Sequence, residues 1–288
     1  MTRILRFVAV ALALLVLGWP APPASAGSGT VPDLYAHSVA RALEQRFDDQ
    51  DLSFLLLHAR TSEILGARWE DADQPVPMGS LLKPFTALAW GETHSFRYPE
   101  HVCHGTRGGC WLPRGHGRLG LTAAVAHSCN AYFHALAEGM HAEDVSSVLR
   151  RYGLPQLPPE AAGDELFGAG NHWRAQPAAV ARAYVRLVKR AEDPGAHEIV
   201  HGMMLSAELG TGSAVGHAVP EHAALVKTGT APCQHARHAP GDGFVVLLYP
   251  AASPQFVLLV RRHGKPGSEA AAVAGEMLRF IAGTEEGS

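Results

Sequence analysis

Apolar residues recur at helical spacing through Leu34, Val39, Leu43 and Phe47 and then close into a short run from Ser53 to His58. That pattern predicts an amphipathic helix feeding a buried strand. Ile64 to Trp69 is expected to return as its hairpin partner. Beyond the Pro-rich Gln74 to Met78, Ser80 opens a helical pattern to Trp90, with Pro84 tolerated because it stands in the first turn. Tyr98 to Gly117, rich in Gly, Pro, His and Cys, reads as loops or a small hairpin. Leu121 to Met140 reads as a long helix with Thr122 a candidate cap, and Ser128-Cys129-Asn130 lies inside it or at a break. Further helices are expected at Ala142 to Tyr152, Pro177 to Ala191 and His197 to Leu209. Strand patterns return at Ala224 to Ala231, Gly243 to Tyr249 and Gln255 to Arg262, before an amphipathic helix from Ser268 to Ile281.

Strands at both ends with helices between them imply one antiparallel β-sheet closed by the two ends of the chain, flanked by helices, with an all-helical lobe. The class is α+β.

The opening residues narrow the setting. Met1 to Arg6 is basic, Phe7 to Trp19 is almost wholly apolar, and Ala24-Ser25-Ala26 has the small residues of a cleavage site, so Met1 to Ala26 is expected to be a secretory signal peptide. Its apolar stretch is short of the ~20 residues that cross a bilayer, which disfavours an uncleaved anchor. No other segment has the composition of a span. The remainder, residues 27–288, fits one domain of two lobes in a periplasmic or secreted protein. A net charge of -3 without a basic stretch excludes nucleic acid or an anionic membrane surface as an obvious partner. Export permits disulfides, and Cys103 and Cys110 bracket a glycine-rich loop short enough to join them, so that pair is the expected bridge. Cys129 and Cys233 are left open as a second bridge or two free thiols.

Candidate chemistry begins with the cations. Only four of the 24 basic side chains are lysines. Two stand in Ser80-Leu81-Leu82-Lys83 and Lys227-Thr228-Gly229-Thr230. Arginine does not surrender its proton in a protein, whereas a desolvated or crowded lysine becomes a neutral base. Ser80 and Lys83, three apart on a helix, share a face, as a nucleophile and its base require. Ser128 is a candidate proton relay and Asn130 a candidate ligand for a substrate amide. Gly229 removes bulk where a substrate backbone would join an edge strand. Each motif alone is weak, but chance produces all three only on the order of once in several thousand sequences of this composition.

Ser-x-x-Lys, Ser-x-Asn and Lys-Thr-Gly, in that order, resemble the three active-site motifs of penicillin-binding protein transpeptidase domains, which share their fold with serine β-lactamases. The resemblance runs from Asp51 to Ile281. It is supported by Gly79 to Phe85, Cys110-Trp111, Gly115-His116-Gly117, Ser128 to Phe133, Gln176 to Leu187, Gly210-Thr211-Gly212 and Lys227 to Ala231. It does not extend to the amino-terminal pedestal of the larger members, which disfavours a role as principal cell-wall synthase.

The resemblance implies that Ser80 attacks a D-alanyl-D-alanine stem peptide of peptidoglycan, or a β-lactam, to form an acyl-enzyme without a cofactor. Lys83 would be the general base, with Ser128 and Lys227 passing the proton to the leaving group. Asn130 would bind the substrate amide, Thr228 and Thr230 its carboxylate, and the backbone N–H groups of Ser80 and Thr230 would form an oxyanion hole. Strand alternation puts Lys227 and Gly229 on one face and Thr228 and Thr230 on the other, so a twist or bulge is expected if all are to serve.

Three alternatives carry other expectations. A β-lactamase needs a base for rapid deacylation; class A enzymes place an asparagine four residues after a glutamate, but Glu165 precedes Asn171 by six, and class D enzymes have an apolar residue where Asn130 stands. A non-catalytic module would be a penicillin-recognising sensor, using a slow acyl-enzyme as a signal, or an inactive scaffold for partner proteins, which the intact Ser80, Lys83 and Lys227 disfavour. A metal protein would draw on His101, Cys103, His104, Cys110 and His116; their spacing fits no standard finger, and the disulfide with no metal is the preferred expectation.

Overall fold

Strand runs that are apolar at almost every position must be covered on both faces, and the architecture does this with two sets of helices. The computed structural model describes residues 31–285 apart from 71, 171, 221–222, 234–238 and 240. The expected signal peptide and Asn171 lie outside the described residues. Helix α1 (Val31–Arg46) leads into the hairpin of β1 (Leu52–His58) and β2 (Ile64–Arg68) and then a two-residue strand, β3 (Val76–Pro77). A 3-10 turn at Gly79–Leu82 runs directly into α2 (Lys83–Thr93). A small excursion carries β4 (His101–Cys103), a 3-10 turn at Gly105–Gly108, and β5 (Gly117–Leu119).

Helices α3 (Leu121–Ala126), α4 (Asn130–Ala137) and α5 (Ala142–Tyr152) follow. After a 3-10 segment at Gly163–Phe167 and the short β6 (Arg174–Ala175) come α6 (Pro177–Val188), α7 (Ala196–Leu209) and α8 (Ser213–Gly216). Strands β7 (Leu225–Ala231), β8 (Asp242–Tyr249) and β9 (Phe256–Arg262) then precede α9 (Gly267–Glu285).

The main sheet has the order β2-β1-β9-β8-β7 and is antiparallel throughout. Its closure by both ends of the chain, expected from the sequence, is made by β1 against β9, with Leu55 opposite Leu259. Alternation divides the apolar side chains between two cores. Phe54, Leu56, Val245, Leu247, Leu258 and Val260 pack with Val39 and Leu43 of α1 and Ala274, Met277 and Leu278 of α9. Leu55, Leu57, Val246, Leu248, Val257 and Leu259 pack towards the helical lobe, which includes Phe85, Phe133, Val148 and Tyr184. Burial of each large apolar side chain stabilises the fold by ~1.5–3 kcal/mol.

Two irregularities shape the site, the first at a point the sequence left open. The helix expected from Leu121 to Met140 is broken between α3 and α4 at His127, Ser128 and Cys129. Ser128 adopts a left-handed φ of 50°, and the C-terminal carbonyls of α3 are capped from outside, Ala126 O accepting the Thr211 N–H at 3.1 Å. The helix of Ser80 begins as a 3-10 turn in which the Lys83 N–H bonds to Ser80 O. In that tighter helix residues three apart eclipse, so Ser80 and Lys83 lie closer to one line than in an α-helix.

Candidate active site

Strand β7 is the edge of the sheet, and the Ser80 turn docks against it. Gly79 has φ +56°, and a Cβ there would lie 2.2 Å from Thr230 O. A Cβ on Gly229 would lie 2.7 Å from Met78 O and 3.1 Å from Leu81 Cγ. Gly229 was expected to leave room for substrate; the space its missing side chain frees is filled by the turn that carries Ser80. Two glycines thus let a helix start and a strand approach backbone to backbone.

Lys83 and Lys227 are fully buried, Ser128 and Thr228 nearly so, Ser80 and Asn130 are partly buried, and Thr230 is exposed. Lys83 Nζ donates to Ser128 O at 2.8 Å, to Ser128 Oγ at 3.4 Å and to Asn130 Oδ1 at 2.5 Å. Lys227 Nζ donates to the same Ser128 Oγ at 2.8 Å and to Thr228 O at 2.6 Å. One hydroxyl therefore bridges two amines from opposite lobes. The rings of Phe133 and Phe167 flank Lys83 Nζ at 5.4 and 5.5 Å.

Burial among these groups pulls Lys83 down to about 7 from the ordinary lysine value. Lys227 is also driven well below that value, first by burial and then by the charge of Lys83. A neutral amine near physiological pH is what a proton acceptor for a serine hydroxyl requires.

Strand β7 pairs with β8 residue for residue, Lys227 opposite Val246 and Thr230 opposite Gly243, so no bulge interrupts it. Lys227 reaches Ser128 from one face. Thr228 and Thr230 lie on the face of α9, where Thr230 Oγ1 accepts the Gly267 N–H at 3.0 Å. Thr228 Oγ1 meets Thr211 Oγ1 at 2.5 Å. Thr211, flanked by Gly210 and Gly212, is a site residue to which the sequence reading gave no role. Its own N–H holds the end of α3, so it links that helix to β7.

The expected Cys103–Cys110 disulfide is not formed: Cys103, Cys110, Cys129 and Cys233 are all free thiols. Cys103 closes β4 and Cys110 follows the 3-10 turn, yet both sulfurs face His116 Nδ1, and Cys110 also faces Cys129. Loop length brought the pair together, but a third thiol and an imidazole share the same point, which spacing between two cysteines does not reveal.

The sequence profile of the family described as the penicillin-binding protein transpeptidase domain matches residues 52–282. The chain belongs to that family. No curated protein matches it. Among solved structures, this transpeptidase domain superposes on penicillin-binding protein PBP2 of Helicobacter pylori, from a complex with MreC, with a TM-score of 0.71 at 15% identity, covering 86% of this chain and 63% of that one. Pseudomonas aeruginosa PBP2, in complex with WCK 5153, gives 0.67 at 17% identity over 85% of this chain and 73% of that one. The transpeptidase domain of Burkholderia pseudomallei penicillin-binding protein 3 gives 0.62 at 18% identity over 88% of this chain and 92% of that one. The fold is therefore shared at low identity, and the chain spans less than two thirds of the Helicobacter protein's length.

Proposed function

We propose that this domain is an exported serine acyltransferase that acts on the D-alanyl-D-alanine end of peptidoglycan stem peptides and is acylated by β-lactams. The observation that carries the reading is Ser128 Oγ held between two buried lysines, one of them on the Ser80 turn. Neutral Lys83 accepts the proton as Ser80 Oγ attacks the substrate carbonyl and the C–O bond forms. Collapse of the tetrahedral intermediate breaks the C–N bond, and Ser128, bridging Lys83 and Lys227, passes a proton to the departing amine. The acyl group then leaves Ser80 on an amine or on water, regenerating the hydroxyl.

Electrostatic support for the oxyanion comes from the docked edge. Thr230 O faces Gly79, and in an antiparallel strand the N–H of a residue points to the same side as its carbonyl. The Thr230 N–H is thereby aimed at the Ser80 turn, where the Ser80 N–H is the second donor. Asn130 is assigned to the substrate amide, and the threonine hydroxyls of β7, on its α9 face, to the substrate carboxylate. No cofactor enters this scheme.

A fluorescent penicillin is the direct probe. The purified protein is expected to be labelled covalently and to keep the label for minutes to hours, and Ser80→Ala is expected to remove it. Labelling that persists in Ser80→Ala removes the assignment of the nucleophile, and loss of label within a second in the unaltered protein replaces acyl transfer with β-lactam hydrolysis.

A further inference from the structure

The tetrad of Cys103, Cys110, His116 and Cys129 has no part in the acyl-transfer chemistry, yet its four ligand atoms all lie within 4.8 Å of one another. Cys110 Sγ is 3.8 Å from Cys129 Sγ, and His116 Nδ1 is 3.6 Å from Cys103 Sγ and 3.5 Å from Cys110 Sγ. A tetrahedral zinc ion, with Zn–S of about 2.3 Å and Zn–N of about 2.0–2.1 Å, sets neighbouring sulfurs about 3.8 Å apart and sulfur from nitrogen about 3.5 Å apart. A disulfide accounts for two sulfurs at bonding distance; it does not account for a third thiol and an imidazole nitrogen at these separations.

We propose that these four residues bind one structural zinc ion that fixes the Ser128-Cys129-Asn130 turn. Three thiolates and a neutral imidazole select zinc among the common divalent metals, and the complete protein set leaves no position open for substrate, which is the pattern of a structural site. Each thiol gives up its proton on binding, so loading releases protons and is favoured by rising pH.

The local backbone is built to converge on this point. Cys103 pairs across β4 and β5 with Gly117, which places His116 beside it. A Cβ on Gly105 would strike Pro113 O at 2.1 Å, and one on Gly115 would strike Cys103 O at 2.2 Å, so the loop folds backbone on backbone. The N-terminus of α4, which begins at Asn130 directly after Cys129, closes the fourth side. His116 Nε2 is buried without a hydrogen-bond partner among the described residues, while its ring stacks on His127 at 5.2 Å. Cys129 stands between the two residues that receive Lys83, so the metal would tie the excursion to the catalytic turn through that one residue.

The full chain, purified from zinc-supplemented culture without chelators, is the material for the test. Elemental analysis is expected to give about one zinc per chain, retained by Cys233→Ser and lost from Cys110→Ser. Because Cys110→Ser can fail by misfolding, the unaltered protein is also stripped of metal and reloaded with cobalt, where thiolate-to-cobalt charge-transfer absorption and the intense visible bands of tetrahedral cobalt are expected. Penicillin labelling of the stripped protein is expected to slow about tenfold and to recover with added zinc. Zinc-loaded Ser80→Ala should keep its metal while losing its label, so failure of the metal site and failure of the acyl-enzyme are told apart. Protein that is already free of metal as purified, and whose non-reducing peptide map shows a disulfide among Cys103, Cys110 and Cys129 or whose four thiols all react freely, overturns the proposal.

Discussion

Strand β7 and the turn between α3 and α4 each deliver part of the same site, by opposite means. On β7 the position of Lys227 follows from regular pairing: every residue from Leu225 to Ala231 has a partner on β8, and alternation alone turns Lys227 towards the helical lobe. The turn has no such ladder. Ser128 sits at φ 50°, a conformation that costs a non-glycine residue ~1–3 kcal/mol, and it is held by bonds from Lys83, Lys227 and the end of α3. A sheet fixes a residue through its neighbours in the ladder, whereas this turn is fixed by Lys83, Thr211 and Lys227, from three distant parts of the chain. The first arrangement is set by the whole ladder, and the second by a few contacts made from elsewhere in the chain.

The largest effect is expected where the two regions meet. Lys83→Met keeps the length of the side chain and removes the base, so acylation by a fluorescent penicillin should fall by ~10³-fold while the thermal transition is kept. Stopped-flow or gel-based labelling rates check this. A variant that labels within tenfold of the unaltered protein would move the base elsewhere.

Next come the two sides taken separately. Lys227→Met on the strand and Ser128→Ala on the turn should each slow acylation by ~10²-fold. Because both act through the 2.8 Å bond between them, the double variant should be little worse than either single one. Additive losses would show that strand and turn act independently.

How far each region was legible in the sequence follows from the same contrast. The apolar runs and their alternation place β1, β7, β8 and β9 to within a residue or two, and strands at both ends of the chain point to the closure of one antiparallel sheet, though not to its strand order. The three motifs mark Ser80, Lys83, Ser128, Asn130 and Lys227 because residue type carries the chemistry. The break at Ser128 was left undecided, since nothing in the apolar pattern from Leu121 to Met140 interrupts a helix; the interruption comes from Thr211 and Lys83, far away in sequence. The docking role of Gly79 and Gly229 is also tertiary. Cys103 and Cys110 were rightly seen as neighbours, but Cys129 joins them only because α4 starts afresh.

Acidity offers a graded test of the shared base. With Lys83 near 7, the fraction of neutral amine falls about tenfold for each pH unit below that value, so the acylation rate should drop with unit slope from about pH 7 downwards and level off above it. The stability dependence has the matching sign. The folded-state lysine binds its proton less tightly than the unfolded one, so between about 7 and the ordinary lysine value the unfolded state holds more protons, and stability should rise with pH across that window. A rate that is flat from pH 8 to pH 5 would show that the amine accepting the Ser80 proton is not titrating there.

The smallest expected effect sharpens the role of Thr211, the residue that joins strand and turn. Its hydroxyl meets Thr228 Oγ1 at 2.5 Å and also lies 3.4 Å from Ala126 O, while its N–H caps the same carbonyl. Thr211→Val keeps the shape and the N–H bond and removes the hydroxyl, a neutral hydrogen bond of ~0.5–1.5 kcal/mol, or about 2- to 12-fold. If Thr211 orients Thr228 for a substrate carboxylate, the loss should appear in the concentration needed for half-maximal labelling and leave the limiting acylation rate unchanged. A fall in the limiting rate instead would place Thr211 on the Ser128 side, as a support of the turn through Ala126. The split between these two parameters therefore reports which of the two regions depends on the linking residue.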